Sequence, residues 1–216
     1  MYADLFVSKF FDAYRACRQC FAETAWKEIW GKRTLEPGSL NHFMLWGPPP
    51  PPQRKQVLYL TAELMRLKHC PGEPLRLDAA FYPEDGCMIG KVPLPMVVAI
   101  EYENDIKTFQ EELLKLALVR CPLKVGITYT AMDKTDAKNL KRGQDRIQKR
   151  LESIMATLAN HTLEDPKTEY LILLGHEASE TAPLWKFDWH ELTFVSGQHI
   201  KDAVWKRIPD ALSEST

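Results

Sequence analysis

Val97-Val98-Ala99-Ile100-Glu101-Tyr102-Glu103-Asn104 is the stretch on which the reading of this chain turns. It is a β-branched, apolar run that ends in two carboxylates with one residue between them. Side chains alternate across a strand, so Glu101 and Glu103 are expected on the same side of a sheet. Like charges held side by side repel unless something positive lies between them. A hard divalent cation, Mg²⁺ or Mn²⁺, is the simplest such partner for paired carboxylates. Upstream, Leu75-Arg76-Leu77-Asp78-Ala79-Ala80-Phe81-Tyr82 reads as a second strand with one acid, Asp78, in its apolar middle. Three carboxylates on two strands form the constellation on which a functional reading rests.

Working outward, residues 3–30 read as one helix, with Phe6, Phe10, Tyr14, Cys17 and Phe21 at helical spacing and Trp26 and Trp30 extending the row. Gly31 and Pro37-Gly38 break it, and Pro48 to Pro52 form a stiff polyproline connector. A second helix is expected over 54–69, with Val57, Leu60, Leu64 and Leu67 along one face and Glu63 beside them. Strands follow at 75–82 and 96–103, separated by a loop or loose hairpin rich in Gly and Pro. A third helix spans 106–119, a strand 123–130, and a long helix 134–159 with Leu140, Ile147, Leu151, Ile154 and Leu158 as its apolar stripe. Two more strands are expected at 169–174 and 184–195. Strands interspersed with helices predict an α/β domain, a mixed sheet covered on both faces. The organisation is a 1–47 N-terminal helical extension, a 48–53 polyproline connector and a 54–216 α/β domain.

Composition narrows the function. With 216 residues and a formal net charge of -1, bulk charge does not favour a polyanion partner, so nucleic-acid contact needs a local basic face. Five cysteines at irregular spacing argue against a disulfide framework and predict a reduced, cytoplasmic chain. The Cys17/Cys20 pair reads as packing. No apolar run approaches a membrane span. GxxxxGK[ST], GxGxxG and GxSxG are absent, which leaves triphosphate, dinucleotide and serine-hydrolase readings without support. His176-Glu177 and His190-Glu191 do not have the HExxH spacing and read as ordinary residues. Trp46, Trp185 and Trp189 read first as core or interface, with base stacking as the alternative.

The order of elements, with these acids in these places, resembles the PD-(D/E)XK nuclease superfamily over roughly residues 54–130, which implies a restriction-endonuclease-like fold. In that superfamily one strand carries the first acid, matched by Asp78. The next strand carries an acid, a spacer and usually a lysine, matched by Glu101, Tyr102 and Glu103. An acid on the preceding helix sometimes joins, matched by Glu63. The motif lysine is thus replaced by Glu103, a residue that some active restriction enzymes of the superfamily carry there. The resemblance implies Mg²⁺ or Mn²⁺ held by Asp78, Glu101 and the carbonyl of Tyr102, with Glu103 as base or as ligand to a second metal. Lys115 or Lys124 would supply the missing positive charge.

Lys138, Arg142, Arg146 and Lys149 recur at i, i+4, i+8 and i+11, and with Lys141 they form a basic helical face opposite the apolar stripe. Such a face can track a phosphate backbone or simply be solvated. The expectation is a Mg²⁺-dependent DNA endonuclease of a restriction or defence system, with nucleic acid as its partner and a homodimer as one option. Two rivals stand beside it. One is an inactive nuclease-fold protein that serves as an interaction module; the other is a metal-dependent hydrolase of small phosphorylated substrates.

Overall fold

A computed structural model describes residues 1–18, 57–71, 74–103, 106, 108–129, 137–159, 165–177 and 187–208. The polyproline connector, Cys20, Trp46 and Trp185 lie outside the described residues, as does the expected first helix beyond residue 18. The elements in chain order are α1 (Tyr2–Arg18), α2 (Val57–Leu64), β1 (Leu67–Pro71), β2 (Ala79–Pro83), β3 (Cys87–Ile89), β4 (Val92–Leu94) and β5 (Val98–Glu103). They continue with α3 (Phe109–Leu118), β6 (Leu123–Tyr129), α4 (Ala137–Ala159), β7 (Glu169–Glu177), β8 (Phe187–Val195) and β9 (Lys206–Arg207). A mixed sheet runs in the order β1-β2-β5-β6-β7-β8-β9, and β3 with β4 forms a separate hairpin.

Strands β5, β6 and β7 are parallel neighbours, while β2 and β8 flank them antiparallel. Parallel strands need crossovers, and two right-handed crossovers that step in the same direction put both helices on one face. Accordingly α3 and α4 bury Phe109, Leu113, Leu116, Ile147, Leu151 and Ile154 together with Ala99, Ile172 and Leu192 of the sheet. The opposite face is closed by α1 and α2, whose Phe6, Phe10, Tyr14, Val57 and Leu58 join Val98, Ile100, Ile127 and Leu171. The architecture is a mixed α/β sheet flanked by helices.

The apolar row of α1 is core. Phe10, Phe11 and Tyr14 meet Trp189 edge-on at 5.8, 5.6 and 5.7 Å between centroids. Trp189 is wholly buried, which accounts for it as packing. Glu169, at the head of β7, accepts hydrogen bonds from the Tyr2 and Ala3 amides at 3.0 and 2.8 Å. A carboxylate from a distant strand thus satisfies the orphan donors of the first turn of α1 and faces the positive end of its dipole.

Two expectations are corrected. The helix expected over 54–69 stops at Leu64, because Arg66 takes a left-handed φ of 58° and turns the chain. Leu67 to Pro71 then pair antiparallel with β2, a tertiary partnership that overrides local helix preference; Leu64 is exposed. The strand expected over 75–82 begins only at Ala79, because Pro74–Arg76 form a short 3-10 turn with Leu75 and Arg76 at φ 57° and 65°. Asp78 therefore stands just before β2 rather than in its middle. The 83–95 segment forms the β3–β4 hairpin, and β9 at Lys206–Arg207 was not expected.

Candidate functional site

Strand β5 starts apolar and ends polar, and it sits beside both β2 and β6. Its side chains divide between the two cores. Val98, Ile100 and Tyr102 face α1 and α2, while Ala99 faces α3 and α4. Strand alternation puts Glu101 and Glu103 on the α3 side. Glu101 is wholly buried there, three residues along β5. It is not the solvated strand terminus that its place in the sequence implies.

The neighbour of Glu101 on β6 is Gly126. A Cβ at Gly126 would stand 2.6 Å from Cζ of Phe109, so the missing side chain lets the ring of Phe109 lie on the strand. That close approach seats α3 low on the sheet and carries Glu112 and Lys115, one turn apart, over β5. The Lys115 ammonium lies 3.8 Å from Glu101 Oε1 and is ion-paired with Glu112 Oε2.

Asp78 arrives from the position just before the adjacent strand β2. Its Oδ2 accepts the Tyr102 amide at 2.8 Å, which fixes the carboxylate at the shoulder of β5. Neither oxygen of Glu101 takes a hydrogen bond from an N–H or hydroxyl donor. Its close companions are two further carboxyls, Asp78 and Glu112, which it can bond only by carrying a proton itself. Burial, with Asp78 and Glu112 beside it, pushes the Glu101 carboxyl up to about 11. Burial also raises Asp78, against the lowering pull of the Tyr102 amide. Burial lowers the Lys115 ammonium, but Glu112 and Glu101 outweigh it and the net shift is upward.

The site residues expected from sequence divide as follows. Asp78, Glu101 and Lys115 come together. The carboxylates that crowd Glu101 are Asp78 and Glu112, whereas Glu103 stands half-buried at the end of β5. Lys124 is 1% exposed, and its ammonium bonds the Ala117 carbonyl and the Tyr170 hydroxyl, both at 3.0 Å. It therefore ties the last turn of α3 to β6 and β7. Glu63 is exposed on α2, across the sheet from Glu101. Glu112 was missed; its signal was an acid at i+3 from Phe109, on the border of the apolar stripe, followed three residues later by a lysine.

No family model matches this chain. No curated protein matches it either.

On α4, Lys141, Arg142, Arg146 and Lys149 are exposed, and the side chain of Lys138 lies outside the described part. Lys141 is paired with Asp145 at 2.7 Å. His176 and His190 sit on neighbouring strands near Asp188, and burial lowers both imidazoles. Among the described residues, no group of three or more His, Cys, Asp and Glu is set to hold a metal ion, and no helix is long and apolar enough to cross a membrane. Two clefts of about 1020 and 650 Å³ lie at the starts of β6 and β7 and beside the end of α4; neither is lined by Asp78 or Glu101.

Proposed function

We propose that this chain is a divalent-cation-dependent nuclease with restriction-endonuclease-like architecture, acting on DNA. The observation that carries the reading is the meeting of Asp78, the residue before β2, with Glu101 of the adjacent β5, and the Lys115 ammonium 3.8 Å from Glu101. The order of elements supports it: a helix, an acid-headed strand, a strand bearing Glu-Tyr-Glu, a helix, then a parallel strand.

The donor set suits Mg²⁺ or Mn²⁺. Both Glu101 oxygens are buried without a donor, and the surrounding ligand atoms are hard carboxyl oxygens. Mg²⁺ is commonly held by one or two carboxylates with several waters retained, so a three-ligand protein cage is not required. Asp78, Glu101 and the Tyr102 carbonyl would hold it. Once bound, such a cation acidifies a coordinated water and stabilises charge on a phosphoryl group. The chain's own groups do the rest. The Tyr102 amide orients Asp78, Lys115 supplies the positive charge that the Glu103 position lacks, and Glu103 would accept a proton. Arg142 and Arg146 on α4, which covers the same face of the sheet as α3, would meet the phosphate backbone.

The reading is tested by incubating the purified chain with supercoiled and linear DNA in Mg²⁺ or Mn²⁺. Asp78→Asn should lower cleavage on the order of 100-fold or more, since a metal ligand supplies several kcal/mol and each 1.4 kcal/mol is about tenfold. Cleavage that survives both Asp78→Asn and Glu101→Gln refutes the assignment. The complete burial of Glu101 favours a second reading, an interaction module that keeps the fold without the chemistry. DNA binding with no cleavage under any divalent cation would select it.

A further inference from the structure

We propose that the left-handed turn at Leu75 and Arg76 and the tip of the β3–β4 hairpin form a paired prong that enters duplex DNA beside Asp78. The inference rests on the nuclease reading above and deepens it by naming how the chain holds its substrate. Leu75 and Arg76, consecutive residues other than glycine, take φ of 57° and 65°, a conformation that crowds the Cβ of an L residue. Such strain persists only where the surrounding fold imposes it, and it gathers at ligand-holding sites. No apolar burial is gained in exchange: Leu75 is 55% exposed, and Arg76 is exposed beside it. The turn thus holds a large apolar side chain and a cation out into solvent just ahead of Asp78.

The hairpin tip repeats this pairing. Ile89 and Val92 close a tight turn at Gly90-Lys91, with Gly90 at φ 62°. Ile89 is 65% exposed, and Lys91 is exposed. The Lys91 carbonyl lies 3.8 Å from Cys70 Sγ, and Cys70 pairs with Ala80 near the head of β2. Strand β4 also touches the Pro74–Arg76 turn, so the two protrusions are neighbours. Cys70 and Ala80 belong to the core that α3 covers, which puts the tip on the same face of the sheet as α3. In the sheet order the tip lies over β1 and α3 over β5 and β6, with Asp78 and Glu101 between them. The hairpin's acids, Glu84 and Asp85, occupy the turn at its opposite end, about 10 Å away at the rise of a strand. Aliphatic tips with cations at their sides fit a base step and its flanking phosphates, since apolar wedges part stacked bases and Lys or Arg binds the backbone. Two narrow tips offer too little contiguous area for the core of a protein interface.

DNA binding by the full chain is measured in the presence of a chelator, with a short duplex that carries 2-aminopurine at several steps; this base brightens when it unstacks. The parent should raise the fluorescence on binding. Ile89→Ser and Leu75→Gly should each cut the rise several-fold. Leu75→Gly should also melt no lower than the parent, because glycine takes the left-handed conformation freely. A merely structural Leu75 would not lose DNA distortion while the fold is kept. Arg76→Ala with Lys91→Ala should lower the slope of log affinity against log salt by about two units. No binding by the parent, binding without a rise, a rise unchanged in either apolar variant, or an unchanged salt slope would each overturn the proposal. If Leu75→Gly does not fold, Ile89→Ser decides alone. The two readings fail separately. Unstacking with these losses but no cleavage under any divalent cation removes the nuclease and keeps the prong, while cleavage by a chain whose apolar variants unstack DNA as the parent does removes only the prong.

Discussion

Replacing Glu101 with Gln should stabilise this protein, and more so as the pH rises. The folded chain keeps the Glu101 proton up to about 11, whereas an ordinary glutamate loses it near 4.5. Between those values the folded state binds more protons than the unfolded one, so stability falls with rising pH. The limiting slope for one group is about 1.4 kcal/mol per pH unit, which over the interval from an ordinary glutamate to pH 7 amounts to about 3 kcal/mol. Gln has the shape of the protonated acid, donates to Asp78 and Glu112 through its amide, and cannot ionise in the unfolded chain. The variant should therefore match the parent near pH 4.5 and exceed it by up to about 3 kcal/mol at pH 7, a melting-temperature gain of about 6 to 12 °C for a chain of this size. Urea titrations of both proteins from about pH 5 to about pH 8, with a chelator present, measure the difference. Adding Mg²⁺ should then stabilise the parent and leave the variant nearly unmoved. A difference that does not change with pH, or a variant less stable than the parent at neutral pH, would refute the buried, proton-holding Glu101.

Three other perturbations follow from the packing. Gly126→Ala places a Cβ 2.6 Å from Phe109 Cζ in a wholly buried pair and should cost about 1–3 kcal/mol in chemical denaturation, with Phe109→Leu recovering part of the loss. Glu169→Ala removes both acceptors at the start of α1 and should cost about 1–2 kcal/mol; unchanged stability would mean that water caps the helix as well. Arg142→Ala with Arg146→Ala should reduce the slope of log affinity for DNA against log salt by about two units, and an unchanged slope retires the basic face of α4.

Much of the fold was legible because it depends on local pattern. The spacing of Phe6, Phe10 and Tyr14, the stripe Ile147, Leu151 and Ile154, and the apolar runs of β5 and β6 each show how a segment meets a core within one or two turns of chain. Where a partner distant in sequence decided the outcome, local pattern misled. Leu67 to Pro71 became a strand because β2 offered hydrogen bonds, and the turn at Leu75 and Arg76 moved Asp78 to the head of β2.

The acids show the same division more sharply. Composition and spacing alone determined that an α/β chain of near-neutral charge carries Glu101 on an apolar strand run, with Asp78 next to the run before it. Only the tertiary structure decided which charges meet. It set Lys115 beside Glu101 and committed Lys124 to the end of α3. It also made Glu112, rather than the sequence neighbour Glu103, one of the carboxyls that crowd Glu101. The physical reason is that charge–charge energy and desolvation depend on distance through space and on burial, and both were set here by how closely α3 lies on Gly126.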